Sequence, residues 1–255
     1  MKILDETVSP MHLWTMILLA AVAGVSSYVY GAFPYALAVA VIVAMATEFV
    51  VKAGLRHRQR LPLSAIITGI IIGSIAPQNA PFALVLVACI IAVLSKHFLK
   101  ARHNPIFNPA SLGLVVALAV FRLGDVWWGS GSYSMAGMTI SLAPVLIFVA
   151  YLSKRLHASL AFVVTVMAIS AAMAGFASVS SLGGLDALVF GVNYYFAFVM
   201  LAEPKTSPGK AYQQAAYGFL VALLYFVLAL RHEPYAFLLA LLVGNATYAL
   251  YRSRK

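Results

Sequence analysis

Charged side chains are scarce in this chain of 255 residues, because Asp, Glu, Lys and Arg together make up only 9% of it. A soluble domain carries about 25% charged and about 45–50% apolar residues. Here 63% of the residues belong to the hydrophobic set AVILMFWYC. The shortage of charge therefore excludes both an ordinary soluble globular protein and an intrinsically disordered one, and it predicts an integral membrane protein.

Acidic residues are the rarer charged type, with 7 Asp and Glu against 17 Lys and Arg and a formal net charge of +10. In a soluble protein this excess would suggest binding to nucleic acid. In a membrane protein it has a simpler origin, since cytoplasmic loops collect Lys and Arg. We therefore expect this protein to interact with the lipid bilayer and not with nucleic acid.

Cysteine is nearly absent, since Cys89 is the single one. One thiol excludes an intrachain disulfide, a CxxC redox pair and an iron–sulfur cluster built by this chain alone. We expect Cys89 to be a small buried apolar residue. The sequence also lacks a phosphate-binding P-loop, a dinucleotide fingerprint, a nucleophile elbow and a zinc-protease motif, and it predicts no metal site.

Long apolar segments make up most of the sequence. A bilayer-spanning helix needs about 20 residues, so ten such helices would occupy roughly 200 positions. We predict an all-α integral membrane protein with about ten transmembrane helices, in a single transmembrane domain over residues 1–255. The segments are Met11–Phe33, Tyr35–Lys52, Leu63–Ala76, Phe82–Ser95, Ala110–Phe121, Met138–Leu152, Ala158–Phe176, Leu182–Leu201, Ala215–Leu230 and Tyr235–Tyr251. The shorter ones are expected to be extended by flanking residues or to be interrupted helices.

Basic residues alternate between the connections of these segments. On one predicted side lie 15 of the 17 Lys and Arg residues, whereas the other side holds only Arg122 and Arg231. The basic side is expected to be cytoplasmic. This predicts a multi-pass protein of the inner, cytoplasmic membrane with both termini inside.

A weak internal similarity suggests a duplication. The loop after the third segment contains Pro77 and Pro81, and the loop after the eighth contains Pro204 and Pro208. Five helices per half is an odd number, so two halves would have opposite orientation, which is the inverted-repeat plan of many transporters. We therefore expect two inverted five-helix repeats, covering about 1–127 and 128–255.

Two polar loops precede apolar segments on the predicted cytoplasmic side. Asn108 followed by Pro109 has the character of a helix start, and Thr206-Ser207-Pro208 has the same character. Free N–H groups at such starts favour an anion or an electron-rich ring edge. The other interpretation is plain helix capping, and the residues alone leave both open.

Small residues in the third segment form a GxxxG pattern at Gly69 and Gly73, with Ser64 and Thr68 on a similar face. Such a pattern lets two helices approach closely. It is more typical of packing than of a binding site.

Acidic residues inside the apolar segments are few. Glu48 lies one turn before Lys52, which indicates an i,i+4 ion pair that offsets charge. From the sequence we expect no buried relay of acidic and basic side chains. This counts against a proton-driven pump built from this chain alone.

Three stretches resemble the RnfD/NqrB family, whose members are membrane subunits of the Rnf electron-transport complex and of the sodium-pumping Nqr complex. Residues 64–77, SAIITGIIIGSIAP, are similar to the family's S-x-x-x-T-G-L-L-L-x-L-x-x-P. Ser95-Lys96-His97-Phe98 followed by NPIFNPA at 104–110 is similar to G-K-H-x-F and N-x-F-N-P-A. Residues 198–208, FVMLAEPKTSP, resemble F-F-M-A-T-D-P-V-T-S-P.

The resemblance implies a ten-helix inverted-repeat fold and a role in moving electrons through membrane flavins. It implies that Asn104, Asn108 and the Glu203–Ser207 loop lie near a non-covalent flavin, FMN or riboflavin, toward the inner face. The candidate cofactor-binding residues are Thr68, Asn104, Phe107, Asn108, Ser111, Glu203, Lys205, Thr206 and Ser207.

Family members also carry FMN on a threonine within D-x-x-S-G-A-T on the outer side. The matching position here is Thr139, in an outer loop, where Tyr133, Ala136 and Met138 replace the Asp, Ser and Ala of that motif. We therefore favour a non-covalent flavin over covalent FMN at Thr139. Nearby, Trp127 and Trp128 are expected either to stack on an aromatic ligand or to anchor at the membrane interface.

The function that these features predict is that of a membrane subunit in a flavin-linked electron-transport complex, and not of a stand-alone enzyme. Its expected partners are other membrane redox subunits or a flavin reductase, with quinone and a coupled ion as further candidates. Two alternatives remain. One is a small-solute channel or transporter of the same fold without a redox role. The other is a flavin-free membrane anchor for redox partners.

Overall fold

The computed structural model describes residues 9–31, 34–56, 61–130, 136–175 and 192–254, with the side chains of Ser130 and of 136–141 excepted. The chain divides into two compact units, Met1–Ser130 and Gly131–Lys255. Their boundary lies close to the one expected between two repeats. The repeat itself stays a prediction.

The first unit is helical except for a short hairpin. Its two strands pair antiparallel, with Lys100 opposite Pro105 and Ala101 opposite Asn104. The elements are α1 (Pro10–Tyr30), α2 (Tyr35–Gly54), α3 (Leu63–Ile75), α4 (Phe82–Phe98), β1 (Lys100–Ala101), β2 (Asn104–Pro105), α5 (Pro109–Phe121) and a 3₁₀ helix (Trp128–Ser130).

The second unit is helical within its described residues. Between its second and third α-helices lies one turn of π-helix, in which the Leu201 N–H donates to the Phe196 carbonyl five residues earlier at 3.0 Å. The elements are α6 (Ala136–Leu152), α7 (Leu156–Ala174), the π-helix (Phe196–Met200), α8 (Ala211–Leu230) and α9 (Ala236–Ser253).

The predicted apolar segments correspond to helices wherever the structure describes them. Nine coincide with α1–α9 to within a few residues. The eighth, Leu182–Leu201, lies outside the described residues over 182–191, and its other half contains the π-helix. Among the described residues, four helices are long and apolar enough to cross a bilayer, namely α1, α2, α7 and α8. The count of ten spans and the side on which the termini lie stay predictions.

Two helices of the first unit are too short to cross a bilayer alone. α3 and α5 have 13 residues each, about 20 Å at 1.5 Å per residue, whereas the hydrocarbon layer is about 30 Å thick. Irregular backbone adjoins both, and it is satisfied within the protein, since the Val126 N–H donates to the Ile75 carbonyl at 2.9 Å. The expectation of interrupted helices therefore agrees with these two elements.

Packing between α2 and α3 depends on glycine. A Cβ on Gly69 would lie 2.7 Å from the Ala40 carbonyl oxygen, and one on Gly73 would collide with the Leu37 backbone. The predicted packing role of this glycine pair is confirmed. Cys89 is fully buried, and its thiol donates to the same Ala40 carbonyl at 3.4 Å, so the expectation of a small buried residue is confirmed as well.

Candidate functional site

The start of α5 is a capped helix N-terminus. Asn108 is 2% exposed, and its Oδ1 accepts a hydrogen bond from the Ser111 N–H at 3.0 Å. Pro109 takes the first helical position, where its missing N–H costs nothing. The capping interpretation of Asn108-Pro109 is confirmed.

The cap leaves little room for an anion at this terminus. Pro109 has no N–H, the Ser111 N–H is bonded to Asn108, and the Leu112 N–H donates to the Asn108 carbonyl at 3.1 Å. Within this described turn, Ala110 alone offers a backbone donor to a ligand. The expectation of several free N–H groups at this helix start is therefore wrong, because the side chain and the proline consume them.

Among the candidate residues of the first unit, Asn104 and Phe107 are the partly exposed ones. The loop that carries them folds back on the end of α4, since the Ile106 N–H donates to the Leu99 carbonyl at 2.9 Å. Ser111 is fully buried, and Thr68 is 6% exposed, with its hydroxyl donating to the Ser64 carbonyl. A ligand at this loop would therefore meet Asn104 and Phe107 first.

The Glu203–Ser207 loop of the second unit is closed by its own hydrogen bonds. The Ser207 hydroxyl donates to the Glu203 carbonyl at 2.6 Å, and the Thr206 hydroxyl donates to the Glu203 carboxylate at 3.4 Å. Thr206 and Ser207 are each 2% exposed, Glu203 is half-buried and Lys205 is exposed. The loop therefore presents Glu203 and Lys205 outward.

The loop does not begin a helix, as its sequence suggested. α8 begins at Ala211, its N-cap position is Lys210, and no side chain caps it. The expectation of a helix start at Thr206-Ser207-Pro208 is wrong, because the Ser207 hydroxyl turns back toward Glu203 and away from α8.

Side-chain donors from α8, α9 and the turn before α7 hold the backbone carbonyls of this loop and its continuation. This network was not predicted from the sequence, in which Arg155 was interpreted only as one of the basic loop residues. The bonds are Arg155 to Pro204 at 3.0 Å, Arg252 to Lys205 at 3.2 Å, Asn245 to Thr206 at 3.3 Å and Gln214 to Gly209 at 3.0 Å.

Arg155 carries a half-buried positive charge. Its Nε donates to the Ser207 hydroxyl at 3.1 Å, and its two terminal nitrogens donate to the Lys154 and Pro204 carbonyls. Burial lowers the pKa of Arg155 from its ordinary value, although a guanidinium stays protonated in proteins. Within the described chain its partners are neutral oxygens, so the charge is not cancelled by a carboxylate.

A buried ionic cluster joins α2 to α4, contrary to the expectation of no such relay. The Glu48 side chain is 5% exposed and lies 3.3 Å from Lys52 Nζ, 2.8 Å from Lys96 Nζ and 3.0 Å from His97 Nε2. The predicted Glu48–Lys52 pair is present. Lys96 and His97 were missed because they come from a helix nearly 50 residues away.

This cluster adjoins the loop that carries Asn104. Lys96 and His97 form the last turn of α4, and β1 begins at Lys100. One carboxylate faces two ammonium groups, so the cluster has an excess of positive charge. Basic residues are also favourable at a helix C-terminus, where the peptide dipoles leave partial negative charge.

The tryptophans after α5 are buried within the first unit. Trp127 and Trp128 are 6% and 2% exposed. The Trp127 indole N–H donates to Asp125 Oδ2 at 2.7 Å. Burial raises the pKa of Asp125, and this hydrogen bond offsets part of the rise. The burial of both rings inside the first unit speaks against an anchor at the membrane interface, whereas stacking on an aromatic ligand stays a prediction.

Thr139 lies in the first turn of α6. Its side chain is outside the described residues, so covalent attachment stays a prediction. Asn104, Phe107, Asn108, Ser111 and Thr68 belong to the first unit, whereas Thr139 and the Glu203–Ser207 loop belong to the second.

Comparison with known proteins finds relatives that are similar to part of this chain. A model of the "NQR2, RnfD, RnfE family" matches residues 4–128. The D subunit of the ion-translocating oxidoreductase complex from Actinobacillus pleuropneumoniae serotype 5b (strain L20) is 24% identical over 124 residues, which cover 46% of this chain and 35% of that protein. The protein of the same name from Erwinia tasmaniensis is 26% identical over 152 residues, which cover 56% of this chain and 42% of that protein.

These alignments span less than half the length of the curated relatives. The family match, by contrast, runs without interruption from before α1 to the 3₁₀ helix, and it includes the Glu48 cluster and the capped start of α5. Residues 4–128 of this chain are thus similar to the NQR2, RnfD, RnfE family.

Proposed function

We propose that this chain is a membrane subunit of an ion-translocating oxidoreductase complex and that it passes electrons through a non-covalently bound flavin, FMN or riboflavin. The observation that carries the proposal is the family match over residues 4–128. The names of the two relatives and the apolar helices support it. The expected partners are other membrane redox subunits or a flavin reductase, with quinone as a candidate acceptor.

Each of the two candidate loops, taken by itself, offers donors that fit such a cofactor. An isoalloxazine ring presents carbonyl oxygens and ring nitrogens at its edges and an apolar face. In the first unit the Asn104 amide and the Ala110 N–H are donors, and the Phe107 ring is partly exposed. In the second unit Lys205 is exposed, and two of the five N–H groups of Arg155 remain after its three bonds within the described chain.

The flavin, when bound, supplies one- and two-electron redox chemistry. The chain contributes position and electrostatics. Excess positive charge at the Glu48 cluster favours negative charge nearby, and the effect is larger away from water because the dielectric constant is lower. The apolar helices exclude water from the same region. Transport of an ion by the whole complex would build on these properties.

The test is the visible absorption spectrum of the detergent-purified chain, before and after acid precipitation. A flavin band that appears in the acid supernatant supports the proposal. Flavin that stays with the precipitate, and that is lost in Thr139→Ala but kept in Thr165→Ala, would establish covalent attachment instead. A preparation that binds no flavin, even after incubation with riboflavin and FMN, would contradict the proposal. Solute flux in proteoliposomes would then favour a channel, and co-purification with a redox complex would favour an anchor.

A further inference from the structure

We propose that Arg155 is a positioning residue for the bound flavin, which fixes the Glu203–Ser207 loop and favours the reduced cofactor through its uncancelled charge. The inference rests on the proposed function. It adds a residue outside every stretch that carries the family resemblance, because those stretches cover residues 64–77, 95–98, 104–110 and 198–208.

The guanidinium of Arg155 bridges the two ends of the loop. Nε donates to the Ser207 hydroxyl at 3.1 Å, and a terminal nitrogen donates to the Pro204 carbonyl at 3.0 Å. The position of Glu203 is constrained as well, since the Ser207 hydroxyl also donates to the Glu203 carbonyl at 2.6 Å. Only a planar fork reaches both acceptors from one side chain, and a lysine ammonium is a single point donor.

The backbone turn that carries Arg155 is itself held by hydrogen bonds. The Lys154 carbonyl accepts from an Arg155 terminal nitrogen at 3.1 Å and from Gln214 Nε2 at 2.9 Å. The turn closes α6, because the Arg155 N–H donates to the Ala150 carbonyl at 3.1 Å. Gln214 also donates to the Gly209 carbonyl. The turn and the loop are thus joined on two sides, so the position of Arg155 sets the position of the loop.

Charge is the second part of the argument. In the first unit, the buried charge of Glu48 is balanced by the Lys96 ammonium at 2.8 Å. Arg155 has no carboxylate within 4.0 Å in the described chain, and its acceptors are neutral. A half-buried cation left in this state attracts an anion more strongly than one in water does. Because reduction adds negative charge to a flavin, Arg155 should favour the reduced form.

A structural role alone would also account for the geometry. The loop follows the C-terminal end of the π-helix, and arginine often caps carbonyls at helix ends. A cap would change stability, but it would leave the ratio of oxidised to reduced flavin affinity unchanged. That ratio therefore separates the two roles.

The experiment compares the purified wild-type chain with Arg155→Lys, Arg155→Gln and Ser207→Ala. Riboflavin is titrated under oxidising and reducing conditions, and thermal unfolding is recorded for each variant. Arg231→Lys and Arg231→Gln are matched controls, since Arg231 is exposed at the opposite end of α8. Ser207→Ala removes one bond of the fork and keeps the charge, so it tests the loop even if an Arg155 variant does not fold.

We expect Arg155→Lys, Arg155→Gln and Ser207→Ala each to bind oxidised riboflavin about tenfold more weakly, as the loss of a charged hydrogen bond predicts. Arg155→Gln alone should bind reduced riboflavin about a further tenfold more weakly. This loss of affinity is equivalent to a shift of about 30 mV in the reduction potential of a two-electron couple. An unchanged ratio of oxidised to reduced riboflavin affinity in Arg155→Gln, or wild-type affinity for both forms in the Arg155 variants, would overturn the inference while the proposed function stands. A wild-type chain that binds no riboflavin would overturn both.

Discussion

The Lys96 ammonium lies 2.8 Å from the Glu48 carboxylate, and the two side chains are only 10% and 5% exposed. They come from α4 and α2, so the pair fixes the register of these two helices. A buried ion pair gains little over an apolar pair of similar size, but removing one partner leaves an uncompensated charge in a dry site.

Glu48→Gln should therefore destabilise the protein strongly. The substitution leaves the nearly buried Lys96 and the partly exposed Lys52 without a counter-charge, at a cost of roughly 3–5 kcal/mol. Thermal unfolding in detergent measures the effect. Glu233→Gln is the control, because Glu233 is exposed in the turn after α8, and it should melt close to the wild type.

The double substitution of Glu48→Met with Lys96→Met should cost less than Glu48→Gln alone, since it removes the Lys96 ammonium together with its partner and leaves only the more exposed Lys52 without a counter-charge. If Glu48→Gln melted with the wild type, the cluster would be open to water and the interpretation of a dry ion pair would be wrong.

Glycine substitutions should have opposite signs at two helical sites. A Cβ on Gly218 of α8 would collide with the Ala158 carbonyl of α7, so Gly218→Ala forces these helices apart at about 1–3 kcal/mol. A Cβ on Gly24 of α1 meets nothing within 4 Å, so Gly24→Ala should stabilise the helix by roughly 0.5–1 kcal/mol. Melting temperatures that shift in the same direction would contradict this account of the α7–α8 contact.

Asp125 predicts a pH dependence. Burial raises its pKa, so the unfolded chain releases this proton at a lower pH than the folded protein does. The contribution of Asp125 to stability therefore falls as the pH rises from the ordinary pKa through the raised one. Asp125→Asn keeps an acceptor for the Trp127 indole and cannot ionise.

The variant should gain stability relative to the wild type as the pH rises over a range that begins at the ordinary Asp pKa of about 4. The two proteins should differ least at the acid end of that range. Unfolding of both in the same buffers measures this, since all other groups are shared. A constant difference across the range would show that Asp125 does not carry the effect.

Asn108 allows capping and cofactor binding to be separated. Asn108→Ala removes the acceptor for the Ser111 N–H and should cost about 0.5–2 kcal/mol. Asn108→Asp and Asn108→Ser keep that acceptor and should melt close to the wild type. Loss of flavin from these two stable variants would show that the Asn108 amide also contacts the cofactor, whereas flavin retained in both would make Asn108 a cap only.

Local features of this protein are predictable from its sequence. Apolar runs predict the described helices to within a few residues, because the apolar composition of each run requires surroundings of lipid or protein interior and not of water. The Asn108 cap and the Glu48–Lys52 pair follow from spacings of three and four residues, which any helix brings together.

Interactions across the chain are not predictable in the same way. Lys96 meets Glu48 only because α2 and α4 pack, and Arg155 meets Ser207 only because the turn after α6 lies beside the loop. One signal was present for the first pair. Glu48 is the single acidic residue in its apolar segment, and Lys96 ends an apolar segment on the same predicted side.

The π-helix at Phe196–Met200 lets the chain before the loop absorb the loss of one residue. Its hydrogen bond spans five residues and not four, so this turn holds one residue more than an α-helical turn. Deleting a single residue there would allow an ordinary α-helical turn and would leave the chain downstream close to its present orientation, because five residues of π-helix and four of α-helix each make about one turn. Ser207 would then stay within reach of Arg155 in a chain that is one residue shorter.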